Sequence, residues 1–289
     1  MIDIFLAILA AFFLASSVVD IRKGLQRMDY ISCSMIITLI GLILLLPITA
    51  IFTDFHYINY GSTALFIIGG ILSPGLVRLF FFKSIEKMGA VIMASIMPAQ
   101  PIISALLAVL VLSEKPSIGL WIGILSIVVG ATVIETSIIG NGKSRRVSLW
   151  LLLPITGIFF GGLSDLIRKI SLNSFNQPLL GTAIANISSL LPFALMLALS
   201  KDPRESNTLT KKNFFLVWKG GLFMTIGWLL SFYALSYGNV TRVIPLVSSQ
   251  PLFIFLIAHI YLKGIEKITV RPIIGALIMI AGIILFLFT

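Results

Sequence analysis

Not one charged residue interrupts ISCSMIITLIGLILLLPITAIF, residues 31–52, and runs of this kind return along the whole chain. A helix rises about 1.5 Å per residue, so roughly 20 apolar residues cross the hydrocarbon core of a bilayer. Ten such spans are read at 2–20, 31–52, 62–83, 89–112, 117–139, 148–168, 178–200, 214–237, 240–262 and 269–288. Inside hydrocarbon every backbone N–H and C=O must find its partner within the protein, so each span is expected to be a helix. The chain is 58% hydrophobic and only 11% charged, with a mean hydropathy of +1.09. Soluble domains carry about twice that share of charge, so the solvent implied here is lipid. The first span has no basic residues before it and no small-residue cleavage site, so it reads as a membrane helix rather than a signal peptide.

The polar connections exclude several functions. The longest, KDPRESNTLTKKN at 201–213, is too short to hold a nucleotide-binding domain, which argues against an ATP-driven pump. There is no H-E-x-x-H, G-x-S-x-G or Walker loop, and the histidines are two, His56 and His259. The single cysteine, Cys33, lies in an apolar run, so neither a disulfide framework nor a zinc cluster is expected. No catalytic residue, metal or cofactor is expected, and the chain is read as not an enzyme. The net charge of +10 sits between the apolar runs, where it sets topology, and no nucleic-acid partner is implied.

The chain also repeats itself. Gln100-Pro101 matches Gln250-Pro251 at an offset of 150, and Leu112 matches Leu262. A two-residue insertion, Gly264 and Ile265, then shifts the offset to 152. Glu114-Lys115 matches Glu266-Lys267, Gly123 matches Gly275, and Gly130 matches Gly282. Arg22-Lys23 after the first span echoes Arg168-Lys169 after the sixth. Two repeats follow, 1–140 and 148–289, each of five spans. An odd number of spans puts the second copy into the membrane upside down, which is an inverted-repeat transporter architecture. Of the 21 Lys and Arg, all but Arg78, inside the third span, and Lys115, Arg168, Lys169 and Arg242 fall in the 1–2, 3–4, 5–6, 7–8 and 9–10 connections or their helix-end flanks. By the positive-inside rule that side is cytoplasmic, which places both termini outside.

Two blocks carry a resemblance: GAVIMASIMPAQPIISALLAVLVLSEKPSIGLWIGILSIVVGATVI (89–134) and NVTRVIPLVSSQPLFIFLIAHIYLKGIEKITVRPIIGALIMIAGIIL (239–285). Each has a mid-helix proline, a turn with glutamate, and a glycine-spaced final helix. In this the sequence resembles the EamA-type branch of the drug/metabolite transporter superfamily. The resemblance implies an all-α integral membrane fold of ten transmembrane helices, in two inverted five-helix repeats around a central cavity. It implies a cavity lined mainly by spans 3, 4, 8 and 9, with spans 1 and 6 contributing. Members of that family usually have the N-terminus inside and arginines between spans 2 and 3, whereas TDFHYINY (53–60) has none. The charge count and the family habit thus disagree about topology.

Several residues are costly where they stand. Gln100 and Gln250 fall at the centres of spans 4 and 9, where an amide needs partners. They either pin a neighbouring helix or, beside carbonyls freed by the helix-breaking Pro98, Pro101, Pro245 and Pro251, face a cavity. Arg78 lies inside the third span, where a cation requires an interior-facing reason, a structural partner, or a snorkelling path toward Lys83. Its repeat equivalent is Trp228. A guanidinium and an indole at related positions suit a small anion or carboxylate with an apolar body.

Asp165, Arg168 and Lys169 are read at the end of the sixth span, where i,i+3 and i,i+4 spacing makes them a pair or a gate. Glu135 and His259 are placed in the last turns of their spans, where they are either interfacial residues or proton relays. No carboxylate is expected at the span centres, which gives proton coupling no support. Tyr233 and Tyr237 share a face of the eighth span, with Tyr233 a cavity candidate and Tyr237 equally suited to an interfacial belt. Asn186 is read as a helix–helix hydrogen bond. Gly123/Gly130, Gly275/Gly282 and Gly157/Gly161 are read as packing faces, which also admit a homodimer.

These readings point to a cell-membrane secondary transporter moving a small amino-acid-like, zwitterionic or anionic metabolite by alternating access. Arg78, Gln100, Trp228, Tyr233 and Gln250 are its expected contacts. The alternative is a non-transporting scaffold or sensor subunit, which predicts no continuous polar cavity among spans 3, 4, 8 and 9. An intramembrane enzyme would need an acid/base or metal cluster that the chain lacks.

Overall fold

The computed structural model describes residues 1–25, 27–53, 58–88, 93, 96–139, 149–199, 210–261 and 270–288. Among these residues the structure is helical, without strands. In chain order the helices are α1 (Ile2–Gly24), α2 (Tyr30–Phe52), α3 (Tyr60–Gly70), α4 (Val77–Met88), α5 (Gln100–Leu112), α6 (Ile118–Ile139), α7 (Leu152–Ser174), α8 (Pro178–Leu199), α9 (Lys211–Tyr237), α10 (Val240–Val247), α11 (Gln250–Tyr261) and α12 (Val270–Phe288). Among the described residues seven helical stretches are long and apolar enough to cross a membrane. α7 is as long as α2 but carries Asp165, Arg168 and Lys169, all three buried, and so falls short in apolarity rather than in length.

Large apolar side chains point outward, Leu110 being 77% exposed and Ile43 65%. Small and polar ones face inward, among them Ser17, Ser104, Ser164 and Thr225. This inverts the pattern of a water-soluble bundle, because lipid rewards an apolar exterior and close packing favours small residues at helix contacts. Local chemistry starts several helices. The Asp29 carboxylate accepts from Ser32 N at 2.8 Å to cap α2, and the Asn59 side chain accepts from Ser62 N at 3.0 Å to cap α3. Each satisfies an amide that the first helical turn leaves free.

Three expected single helices are broken. The span at 62–83 divides at Ser73, whose extended backbone (φ −143°, ψ 124°) interrupts a π-helical stretch, Ile71–Leu76. A residue before proline is driven from the helical region by the proline ring, and Pro74 follows. In the fourth span a 3-10 turn, Met97–Ala99, precedes α5, which starts at Gln100-Pro101. In the ninth, α10 ends at Val247 and α11 begins at Gln250-Pro251. Proline is tolerated at a helix start because its missing N–H had no intrahelical partner there. The two Gln-Pro pairs are therefore helix beginnings, not mid-helix kinks. The sixth span runs longer than expected, to Ser174 rather than 168, which moves Asp165 and Arg168 from a helix end into a helix interior.

Packing is paired across the two halves. α1 packs on α9 and, correspondingly, α7 on α3 and α4. α1 also meets α10 and α11, as α7 meets α5; α2 meets α9, as α8 meets α3. α6 and α12 pack on each other through their glycines. A Cβ on Gly130 would lie 2.6 Å from the carbonyl oxygen of Gly275, and one on Gly282 would lie 3.0 Å from that of Gly123. The contact order, 123 with 282 and 130 with 275, makes the two helices antiparallel. Because Gly123 is the sequence equivalent of Gly275 and Gly130 of Gly282, each helix presents the same face to the other. That reciprocity is the pattern of a two-fold contact.

Candidate functional site

A cavity of about 450 Å³ opens where the broken helices meet. Its polar wall comes from both halves: Arg78 of α4, Gln100 of α5, Asp165 of α7, Trp228 and Ser231 of α9, and Ser248 and Gln250 at the second break. The rest is largely apolar, from Leu14 and Val18 of α1 to Phe81 and Phe82 of α4. α2 contributes Cys33, Ser34 and Ile37, a helix that neither repeat nor resemblance had assigned to the wall. Leu25, Cys33 and Phe82 place one end of the cavity toward the connection between the first two spans.

The centre of the site is a buried charge network. Asp165 Oδ1 receives Arg168 Nη1 at 3.2 Å, and its Oδ2 accepts from Ser104 Oγ at 2.9 Å and Gln100 Nε2 at 3.2 Å. Arg168 is 1% exposed, with its guanidinium 4.7 Å from the Trp228 ring centroid and 5.3 Å from that of Phe232. Its Nη2 donates to the carbonyl oxygen of Ser73. Ser164 Oγ donates to that of Gly69 at 2.8 Å. These carbonyls are available because the break at Ser73 deprives them of helical donors, and buried acceptors require substitutes. Asp165 and Arg168 therefore join as i,i+3 partners, but inside the bundle and not at a helix end. The expectation of no carboxylate near the span centres is overturned, since Asp165 binds the very glutamine assigned to the centre of the fourth span. Sequence spacing misplaced it because three charges in five residues resemble a loop flank.

Arg78 points inward. Its Nη2 donates to Met224 Sδ at 3.2 Å, and its guanidinium lies 5.6 Å from the Phe193 ring centroid. Among the described residues no carboxylate pairs with it. Gly161 makes room for Gln100, for a Cβ there would lie 2.5 Å from the amide carbon. Pro98, Pro101, Pro245 and Pro251 are buried and do not line the cavity; they set the breaks. Tyr233, half-buried on α9, is not among the lining residues, and Tyr237 is 60% exposed. Asn186 lies beside Gly41 of α2, at the α2–α8 contact. Glu135 is half-buried near the end of α6. The side chain of His259, together with His56, Gly264, Ile265, Glu266 and Lys267, lies outside the described residues.

The opposite end of the bundle is tied across its halves. Ser113 adopts the left-handed conformation (φ 54°) that ends α5 and turns Glu114 toward α10. The Glu114 carboxylate accepts from Val240 N at 2.9 Å, Thr241 N at 3.0 Å and Thr241 Oγ1 at 2.7 Å. An anion at a helix N-terminus meets both its free amides and the positive end of its dipole. Lys169 Nζ donates to the carbonyl oxygen of Leu235 at 2.8 Å, near the last turn of α9, and Arg242 stands 3.8 Å from Asp3. Sequence reading used Glu114 only to align the repeats. Its role as a cap is non-local, and no pattern near α10 announces it.

The comparisons agree with this architecture. One family model, the EamA-like transporter family, matches the chain twice, over residues 1–136 and 148–288. A protein of Archaeoglobus fulgidus described as an uncharacterized transporter is 22% identical over 292 residues, covering 99% of this chain and 98% of its own. A protein of known crystal structure superposes with a TM-score of 0.76 at 13% identity, over 98% of this chain and 94% of that one, a likeness of fold alone. With its double match along nearly the whole sequence and its long apolar helices, the chain is a multi-pass membrane protein of the EamA-like transporter family.

Proposed function

We propose that this protein is a secondary transporter that carries a small amino-acid-like, zwitterionic or anionic metabolite across the cell membrane by alternating access. The observation that carries the reading is the cavity at the two Gln-Pro breaks, with the Arg78 guanidinium in its wall and no carboxylate paired to it among the described residues. Arg78 supplies a charge-assisted contact for a carboxylate, the amides of Gln250 and Gln100 supply neutral hydrogen bonds, and Trp228 supplies an apolar face. A scaffold has no use for such a cavity, and uptake into proteoliposomes distinguishes a transporter from a sensor that only binds its ligand.

The reciprocal antiparallel packing of α6 on α12 supports two inverted repeats of five spans. Rocking one against the other exposes a site near their shared axis to each side in turn. The cavity reaches toward the first connection, on the basic side of the molecule, while Glu114, Lys169 and the Asp3–Arg242 pair tie the other end. By the positive-inside rule the cavity then faces the cytoplasm and both termini lie outside. Cysteine labelling of either terminus in intact cells checks that orientation; protection from an impermeant reagent would reverse it. For transport, Arg78→Ala in proteoliposomes is expected to lower uptake of a carboxylate substrate about tenfold or more, the worth of one charged hydrogen bond. Uptake unchanged by Arg78→Ala would remove Arg78 from the site.

A further inference from the structure

Two arginines converge on one small void. Beneath the large cavity, among α2, α4, α7, α8 and α9, lies a second space of about 20 Å³. A site of that size holds one water-sized particle. Its wall includes both Arg78 and Arg168, with Thr182, Asn186 and Thr225 around them. Arg78 Nη1 and Arg168 Nε are buried with no hydrogen-bond partner, the only buried side-chain nitrogens so left among the described residues.

The charges do not balance either. Asp165 offsets Arg168 at 3.2 Å. Among the described residues Arg78 has only the Met224 sulfur at 3.2 Å and the Phe193 ring at 5.6 Å, and neither carries a charge. An unpaired cation away from water is costly, as is a buried donor without an acceptor. A water molecule would satisfy the donors and leave the charge. A monovalent anion satisfies both.

We infer that the void between Arg78 and Arg168 is a small-anion site, taking either a free halide-sized ion or the carboxylate tip of a substrate. The second source is sterically continuous with the first, because Arg78, Met224 and Trp228 line both spaces. A carboxylate oxygen seated between the arginines leaves the body of its molecule in the large cavity. The free-ion source stands apart from transport, and the carboxylate source rests on the transport reading above.

The test uses the purified full-length protein in detergent, at fixed ionic strength, with sodium isethionate, a bulky sulfonate that carries no carboxylate, replaced stepwise by chloride, bromide or acetate. A ligand that binds only the folded state raises the unfolding temperature saturably. The expected result is such a rise with at least one of the three anions, with its half-saturation weakened about tenfold or more in Arg78→Gln. A response to both halides but not to acetate assigns a free ion; a response to acetate at least equal to the halides assigns the carboxylate tip. No saturable rise with any anion, or an equal rise in Arg78→Gln, overturns the site. Should Arg78→Gln fail to fold, bromide-soaked crystals of the wild-type protein decide instead. An anomalous peak between the two guanidinium groups supports the site, and its absence at a bromide concentration that saturates the thermal shift overturns it. Proteoliposome uptake measured in isethionate separates the two readings: uptake without any anion response sinks the site alone, and an anion response without uptake sinks transport alone.

Discussion

The two Gln-Pro helix starts share a backbone and differ in company. Gln100 donates to Asp165 at 3.2 Å and lies against the bare backbone of Gly161. Gln250 lines the cavity opposite, next to Ser248. The reason is visible in the partner helices. Aligned on Arg22-Lys23 and Arg168-Lys169, the first-half equivalent of Asp165 is Val19, and that of Gly161 is Ala15. Both halves carry the break that opens the cavity, while the ion pair that holds Gln100 lies in the second half alone. The pseudo-symmetric frame supplies the space, and its asymmetric residues supply the chemistry.

The comparison can be broken most forcefully at Asp165. Asp165→Ala leaves Arg168 buried without its counter-charge and is expected to cost about 3–5 kcal/mol of stability. Thermal unfolding in detergent checks it. Next comes Gln100→Ala, expected to lose about 1–3 kcal/mol because the Asp165 carboxylate loses a donor. Gly161→Ala should cost a comparable amount by crowding the same amide. Glu114→Gln removes the charged cap of α10, a loss of about 1 kcal/mol. Hydrogen exchange at Val240 and Thr241 should quicken in that variant, and unaltered protection would dismiss the cap. The smallest stability effect is expected for Gln250→Ala, within about 0.5 kcal/mol, as for other residues facing open space. Its uptake should nonetheless fall, so equal stability losses at the two glutamines would erase the distinction drawn between them.

Much of the frame was legible. The apolar runs located the helices because bilayer thickness fixes how long a span must be, and lipid allows few alternatives to a helix. Gly123, Gly130, Gly275 and Gly282 aligned the halves, and their mutual contacts follow from the need for a small residue wherever two backbones approach closely. The site was harder to read. Ser34, Ser104 and Ser231 are single hydroxyls in apolar helices, and only the fold selects those that face the centre. Asp165 was misplaced because its cluster with Arg168 and Lys169 looks like a helix end, and Tyr233 was proposed for the wall from a spacing that left its direction open.

The sequence by itself determined that this chain lives in a membrane, that its two halves share a pattern which one family model matches twice, and that Gln-Pro falls at the same point of that pattern in each. These are properties of composition and periodicity, and they survive any arrangement of the helices. Only the tertiary structure decided that Asp165 meets Gln100 from 65 positions away, that Glu114 caps α10, and that Arg78 and Arg168 flank one void. Such pairings are set by which faces of distant helices come together. A one-dimensional pattern records that a buried charge needs a partner without saying where the partner lies.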